Sequence, residues 1–266
     1  IAYMWKFLFK DVFLILDYRD QFSSNHMFRN KLASLEIKLD KIFLKKADLV
    51  LCVSEPMREY YENLANCNAI VVRNGFEDWI KDSCKNKKTT DKTYRYFGTI
   101  TPDRLMEALW VALEKIEPQV RPVFEFYGQC MILEKYLKKN YPKLLNNVIF
   151  KPTIPHKQAI ELMCSSKGLL FTETSNNKFA SQRGVLTTKL FEYFATKRPI
   201  IAIIEKNTLA GQLIAETGLG KVISNNPNEI KIKLLSEVKI FPRSSKIAEF
   251  SRSKQFRKIL PYIRVP

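Results

Sequence analysis

The stretch from Gly184 to Ile203, GVLTTKLFEYFATKRPIIAI, sets two hydroxyls, a lysine and a glutamate at the opening of an expected helix. A proline and an apolar strand follow directly. A helix N-terminus presents unpaired N–H groups and the positive end of a dipole, so it suits a phosphate. Lys189 and Glu192 stand three apart and share one helix face. Together they offer a cation for a diphosphate and a carboxylate for sugar hydroxyls. With Thr187 and Thr188 beside them, this is the chemistry of a nucleotide-sugar site. The other reading is a surface Lys189–Glu192 ion pair, which contributes only about a few tenths of a kcal/mol.

Three further loops follow expected strands, at the carboxyl edge where parallel sheets bind ligands. In GTITPDR, Gly98 to Arg104, the glycine permits close backbone approach, and Thr99 and Arg104 can contact phosphate. The alternative is an ordinary turn with an exposed arginine. In KPTIPH, Lys151 to His156, backbone near Ile154 can pair with a nucleobase edge. The alternative is a proline-stiffened turn, with His156 a surface residue at a helix start. In DYRD, Asp17 to Asp20, two acids and an arginine suggest acid/base or electrostatic work by Asp17, Arg19 and Asp20. The alternative is a structural ion pair, with Asp20 capping the next helix. No GxGxxG occurs, and Gly218-Leu219-Gly220 leads into an expected strand rather than a helix, so a dinucleotide fingerprint is unsupported.

These loops need a scaffold, and the composition permits one. The 266 residues are 46% hydrophobic, enough for one large or two medium cores. Formal net charge is +17, which favours an anionic partner such as nucleic acid, an acidic membrane surface or a phosphorylated ligand. The lysines are spread along the whole chain, so a solvated basic surface accounts for the charge equally well. Five cysteines without CxxC spacing read as reduced thiols in a cytoplasmic protein. Two histidines give little support to a zinc site or a Ser-His-Asp triad. The first sixteen residues are apolar but carry Lys6, Lys10 and Asp11, too short and too charged to span a bilayer.

Hydrophobic periodicity predicts an alternation of strands and helices. In the front part, Val12–Leu16, Ala47–Val53 and Ala69–Val72 read as strands. Phe28–Lys46 reads as an amphipathic helix with Phe28, Leu32, Leu35, Leu39 and Ile42 on the apolar face and Lys31, Lys38, Lys41 and Lys45 opposite. Ser54 is the expected cap of a helix with Pro56 in its first turn. The polar, lysine-rich 77–92 reads as a linker. Beyond it, Tyr94–Phe97, Val123–Tyr127, Val148–Phe150, Gly168–Phe171, Pro199–Ile204 and Val222–Ile223 read as strands with helices between them. Such alternation predicts an α/β fold with a doubly wound parallel sheet. Ser244–Leu260 reads as helical.

In order along the chain, LDYRD (16–20), ADLVLCVS (47–54), VVRNGF (71–76), YFGTI (96–100), residues 184–202 and the segment Gln212 to Gly220 resemble the retaining GT-B glycosyltransferases. The resemblance is to the family-four-like group of bacterial surface-polysaccharide and lipopolysaccharide enzymes. It covers nearly the whole chain. It implies two Rossmann-like doubly wound domains facing a cleft. Residues 1–80 would be part of an acceptor-side domain and 81–92 a linker. Residues 93–240 would hold a nucleotide-sugar donor, and 241–266 would be a helix crossing back to the first domain. Glu192 would bind the ribose hydroxyls, and Lys189 and Arg104 the diphosphate. Gly98 and Thr99 would face the phosphates and the transferred sugar, Ile154 the base, and the Thr187–Thr188 backbone would supply N–H donors. The family needs neither metal nor cofactor.

The implied reaction moves a sugar, with retention, from a UDP- or GDP-linked donor to a glycan or lipid-linked acceptor. The implied setting is the cytoplasm, peripheral on the inner face of the membrane, with the lysines of the Phe28–Lys46 helix toward anionic lipid. Two departures stand out. Many relatives carry two glutamates eight apart, and the earlier position here is Gly184, with Glu173 a substitute. Relatives often have a histidine where Asp17–Asp20 stands. The chain is also expected to enter its first domain part-way. Alternatives are an inactive partial enzyme, a GT-B nucleotide-sugar epimerase, or a basic nucleic-acid-binding protein. The last would want aromatics interleaved with lysine and arginine on one face, and the aromatics here fall in expected strands and helix cores.

Overall fold

Short apolar runs between turn residues become the strands of parallel sheets, several of the inner ones wholly buried. A computed structural model describes residues 6, 8–9, 11–23, 33–85, 92–173, 184, 186–205, 207–223, 225–236 and 239–263. The chain divides into two compact units, one drawn from 1–75, 176–187 and 252–266, the other from 76–175 and 188–251.

The first unit contains β1 (Ile15–Tyr18), α1 (Ala33–Lys46), β2 (Leu49–Cys52), α2 (Glu55–Ala65) and β3 (Ala69–Val71). Its three described strands are all parallel, in the order β1-β2-β3. Ser54 caps α2 by accepting the Met57 N–H at 3.3 Å, and Pro56 sits in the first turn. One cluster joins Val50 and Cys52 of β2 to Leu44, Met57 and Tyr61. Leu49 and Leu51 pack instead with Val72 and Ile259, so alternate β2 residues face different neighbours.

The second unit contains α3 (Asp78–Cys84), β4 (Thr93–Phe97), α4 (Glu107–Glu114), β5 (Val123–Tyr127), α5 (Met131–Asn140), β6 (Val148–Lys151), α6 (His156–Ser165) and β7 (Gly168–Phe171). It continues through α7 (Thr188–Thr196), β8 (Ile200–Ile203), α8 (Leu209–Thr217), β9 (Gly220–Ile223), α9 (Pro227–Leu235) and α10 (Ser244–Glu249). Its six described strands are all parallel, in the order β6-β5-β4-β7-β8-β9. Every residue of β7 and of β8 is buried. The chain winds outward from β4 to β6, then returns to place β7 on the other side of β4. That reversal makes the carboxyl ends of β4 and β7 the topological switch point, the ligand position of doubly wound sheets. Helix α11 (Arg252–Arg257) belongs to the first unit, where Gln255 Oε1 accepts the Arg73 N–H at 2.9 Å.

Three expectations are corrected. The period of α1 is right but its phase is not. Leu35, Leu39 and Ile42 are exposed, while Asp40 and Leu44 are buried. Asp40 turns inward because it accepts hydrogen bonds from Tyr18 Oη at 2.6 Å and Ser23 Oγ at 2.5 Å. Phe28, Lys31 and Leu32 lie outside the described residues. Within the polar 77–92, α3 forms on one buried side chain, Ile80. Packing of α3 on α6 brings Cys84 and Cys164 together, with Cα atoms 5.2 Å apart in a disulfide. Only Cys52, Cys67 and Cys130 are therefore free thiols.

One charged pair lies inside the second sheet. Arg95 on β4 faces Glu125 on β5, with Nε 2.7 Å from Oε2, and the two side chains are only 6% and 16% exposed. Tyr127 Oη also donates to Glu125, and Arg95 also donates to Ser166 Oγ and the Leu162 carbonyl. Removing one partner strands a buried charge. Arg95→Met should lower the unfolding free energy by about 3 kcal/mol, and Arg95→Met with Glu125→Leu should recover most of that loss in urea titrations.

Candidate functional site

The chain leaves β4 at Gly98, whose φ of +128° is costly for any residue with a Cβ. A Cβ there would stand 3.4 Å from Lys189 Nζ. Lys189 lies in the first turn of α7. Its ammonium donates to Tyr96 Oη at 2.6 Å and sits 4.0 Å from the Tyr96 ring centroid, a cation–π contact. Tyr96 Oη in turn donates to the Thr99 carbonyl at 3.0 Å. One helical turn past Lys189, the buried Tyr193 hydroxyl accepts the Phe97 N–H at 3.2 Å. Two tyrosines thus fix the start of α7 to the end of β4.

Arg104, in the single turn Pro102–Arg104, brings a second cation to this place. Its charge acts on both Tyr96 and Lys189. Burial first, and then the Arg104 charge, lower the Lys189 ammonium from 10.5 to about 7. Burial pushes the Tyr96 hydroxyl up to about 12. Two cations sharing a partly buried position form an unfavourable arrangement that an anion relieves. Glu173, just past β7, also senses Arg104. Burial holds its carboxyl above the ordinary range, against that charge and a hydrogen bond from Thr208. Thr208 also caps α8, accepting the Gly211 N–H at 3.2 Å.

Lys189 and Glu192 do not pair with each other, which removes the surface ion-pair reading. Glu192 Oε1 lies 2.8 Å from His156 Nε2. Its side chain is 15% exposed and that of His156 53%. The Trp79 ring meets the His156 ring edge to face, with centroids 5.8 Å apart. Ile154 is partly buried in the loop between β6 and α6, two residues before His156. Thr99 and Thr188 are exposed, and the Thr187 hydroxyl is buried with no hydrogen-bond partner among the described residues. The structure therefore brings Gly98, Thr99, Arg104 and Lys189 together at one strand end. It joins Glu192 to the loop carrying Ile154 through His156.

In the first unit, Asp17 and Arg19 stand at the carboxyl end of β1. Arg19 Nε and Nη2 donate to Asp17 Oδ2 at 2.9 and 2.8 Å, and Nη1 reaches the Val72 carbonyl and Asn74 Oδ1. Arg19 thereby ties β1 to the end of β3. Asp20 is exposed and forms no hydrogen bond or ion pair among the described residues. The start of the helix it was expected to cap lies outside them. Gly184 is buried, and a Cβ there would meet Ser54 Oγ at 2.5 Å. A glutamate could not stand at Gly184 without displacing the cap of α2.

The residues that sequence reasoning passed over are Tyr96, Tyr193, Trp79 and the contact of His156. Tyr96 and Tyr193 read as core aromatics, and core they are. Only their hydroxyls, placed by the sheet and by α7, show their second role.

Two parallel-sheet, Rossmann-like units make the fold class GT-B, an α/β architecture. No protein-family model matches the sequence, and no curated protein matches it. Solved structures do resemble it. One is Anabaena Alr3699/HepE in complex with UDP and glucose, 16% identical, TM-score 0.66, covering 96% of this chain and 72% of that one. Another is an alpha,alpha-trehalose-phosphate synthase (UDP-forming) from Burkholderia vietnamiensis, 10% identical, TM-score 0.68, covering 98% and 69%. A third is the sucrose-phosphate synthase tll1590 from Thermosynechococcus elongatus, 12% identical, TM-score 0.62, covering 98% and 70%.

The Lys189 environment has a measurable consequence. Its folded-state value, about 7, lies below the ordinary 10.5. Between those values the unfolded chain binds more protons, so stability rises with pH in that window. The unfolding free energy of wild type should therefore climb from pH 7 toward pH 10 relative to Lys189→Met. Parallel curves for the two proteins would refute the buried charge.

Proposed function

We propose that this chain is a glycosyltransferase that moves a sugar from a nucleotide diphosphate donor to a glycan or lipid-linked acceptor. The observation that carries this reading is the cation pair of Lys189 and Arg104 beside Gly98, with Glu192 one turn along α7. The diphosphate lies against Lys189, Arg104 and the first N–H groups of α7, from Thr187 and Thr188. The ribose hydroxyls meet Glu192, the base meets the backbone near Ile154, and Thr99 faces the phosphates and the sugar.

As the bond from the anomeric carbon to the diphosphate lengthens, negative charge grows on the leaving oxygen. Lys189, Arg104 and the helix dipole stabilise that charge more than they stabilise the intact donor, which is what lowers a barrier. In this reading they also stand where other enzymes place a metal ion, and the reaction proceeds with retention of configuration. Asp20 is the acceptor-side acid. Asp17 and Arg19 hold the edge on which it stands. The likeness of fold to a protein solved with UDP and glucose supports a uridine nucleotide, with GDP the alternative.

Thermal shift tests the donor site. UDP or GDP at about 100 times its Kd should stabilise the wild type by about 2.7 kcal/mol. Glu192→Ala should bind more weakly, and no shift with UDP-, GDP- or ADP-sugars would refute the reading. Diphosphate binding favours charged Lys189, so affinity should fall as pH rises above about 7. Lys189→Arg should flatten that dependence in calorimetric titrations.

The exposed face of α1 supports a membrane-surface location, in the cytoplasm on the inner face of the cell membrane, in surface-polysaccharide assembly. Leu35, Leu39 and Ile42 are exposed there beside exposed Lys38, Lys41 and Lys45. Each lysine contributes about 1 kcal/mol near anionic lipid. Sedimentation with phosphatidylglycerol vesicles should be strong at low salt and weak at high salt, and Leu39→Asp should reduce it. Among the described residues no helix is long and apolar enough to cross a membrane.

A further inference from the structure

His156 is an exposed side chain at the first position of α6, yet it is the described side-chain partner of the largely buried Glu192. Its Nε2 lies 2.8 Å from Glu192 Oε1. It does not stand alone. Trp79 meets its ring at 88°, with centroids 5.8 Å apart. Trp79 is carried by α3, and the Cys84–Cys164 bond fastens the far end of α3 to the far end of α6. The two helices thus touch at both ends, once through rings and once through sulfur. The result is an imidazole held in place against one oxygen of one carboxylate.

We infer that His156 is a positioning residue for nucleoside recognition, holding the Glu192 carboxylate in the orientation that accepts a ribose cis-diol. This rests on the donor-site reading above. A carboxylate offers about four acceptor positions. With Nε2 protonated, His156 occupies one of them on Oε1 and leaves the others for two hydroxyls. A glutamate free to turn loses side-chain entropy each time it binds a diol. One already held by His156 has lost that freedom before the ligand arrives, so the hydrogen bonds to the diol yield more net affinity. His156 touches neither phosphate nor base in this scheme, and its effect is confined to the diol.

That confinement defines the experiment. Dissociation constants are measured by calorimetry for UDP and for 2′,3′-dideoxy-UDP on wild type, His156→Leu, His156→Gln and Glu192→Gln. GDP and its dideoxy form replace them if GDP is the tighter ligand. Wild type should prefer the diol by about tenfold or more, the worth of hydrogen bonds to a charged group. Glu192→Gln should lose most of that preference. His156→Leu should lose about three- to tenfold of it while binding the dideoxy nucleotide as wild type does. His156→Gln, whose amide nitrogen can replace Nε2 as donor, should keep the preference within about twofold.

A purely structural role for His156 would weaken both nucleotides together, or change only the melting temperature, and either result overturns the inference. If Glu192→Gln abolishes the preference while His156→Leu retains it in full, the positioning role falls and the donor site stands. If wild type shows no preference for the diol, or binds neither nucleotide, both fall.

Discussion

The organising constraint is that a parallel strand must be covered on both faces and can return only by a crossover. Each run of four or five apolar residues, such as the wholly buried β7 and β8, is therefore followed by a loop at the carboxyl edge and a helix. In the second unit the order β6-β5-β4-β7-β8-β9 reverses direction between β4 and β7. Gly98 and Glu173 sit at that reversal because they follow those two strands. Nothing in their own side chains brings them there.

On this scaffold the site is built by charge held out of water. Burial and the neighbouring Arg104 disfavour the ammonium of Lys189, while the hydroxyl and ring face of Tyr96 support it. The cost of two cations at one strand end is met by packing elsewhere, in the aromatic core of Tyr94, Tyr96, Trp110, Phe124 and Phe126. Tyr96 belongs to both, its ring in the core and its hydroxyl at Lys189. The same logic runs the other way for Arg95 and Glu125, a buried pair that satisfies itself and has no exposed face for a ligand.

Much of this was legible in the sequence, for a physical reason. Strand and helix periodicity is a local property, so the strands Val123–Tyr127 and Gly168–Phe171 stand where the pattern places them, with helices between the strands. Ser54 is a cap because the side chain and the backbone it serves lie within one turn. Phase and partnership are different matters. In α1 the apolar stripe of Leu35, Leu39 and Ile42 faces outward, since a buried Asp40 bound to Tyr18 and Ser23 outweighs three aliphatic side chains. The short α3 has no local signal because it rests on a single buried isoleucine and a contact made 80 residues away.

By itself the sequence determined the α/β alternation, the loops that end at the carboxyl edge, and the residue types those loops carry. Those follow from spacings of a few residues and from side-chain chemistry. Only the tertiary structure decided which of those residues meet. It sent Lys189 to Tyr96 and Glu192 to His156, although the two stand three apart on one helix and could have paired. It engaged Arg19 with Asp17 and left Asp20 exposed, and it closed the space at Gly184 with the hydroxyl of Ser54. The Lys189, Glu192 and Gly184 outcomes depend on groups from distant strands and helices arriving within about 3 Å, the reach of a hydrogen bond, which no local pattern encodes.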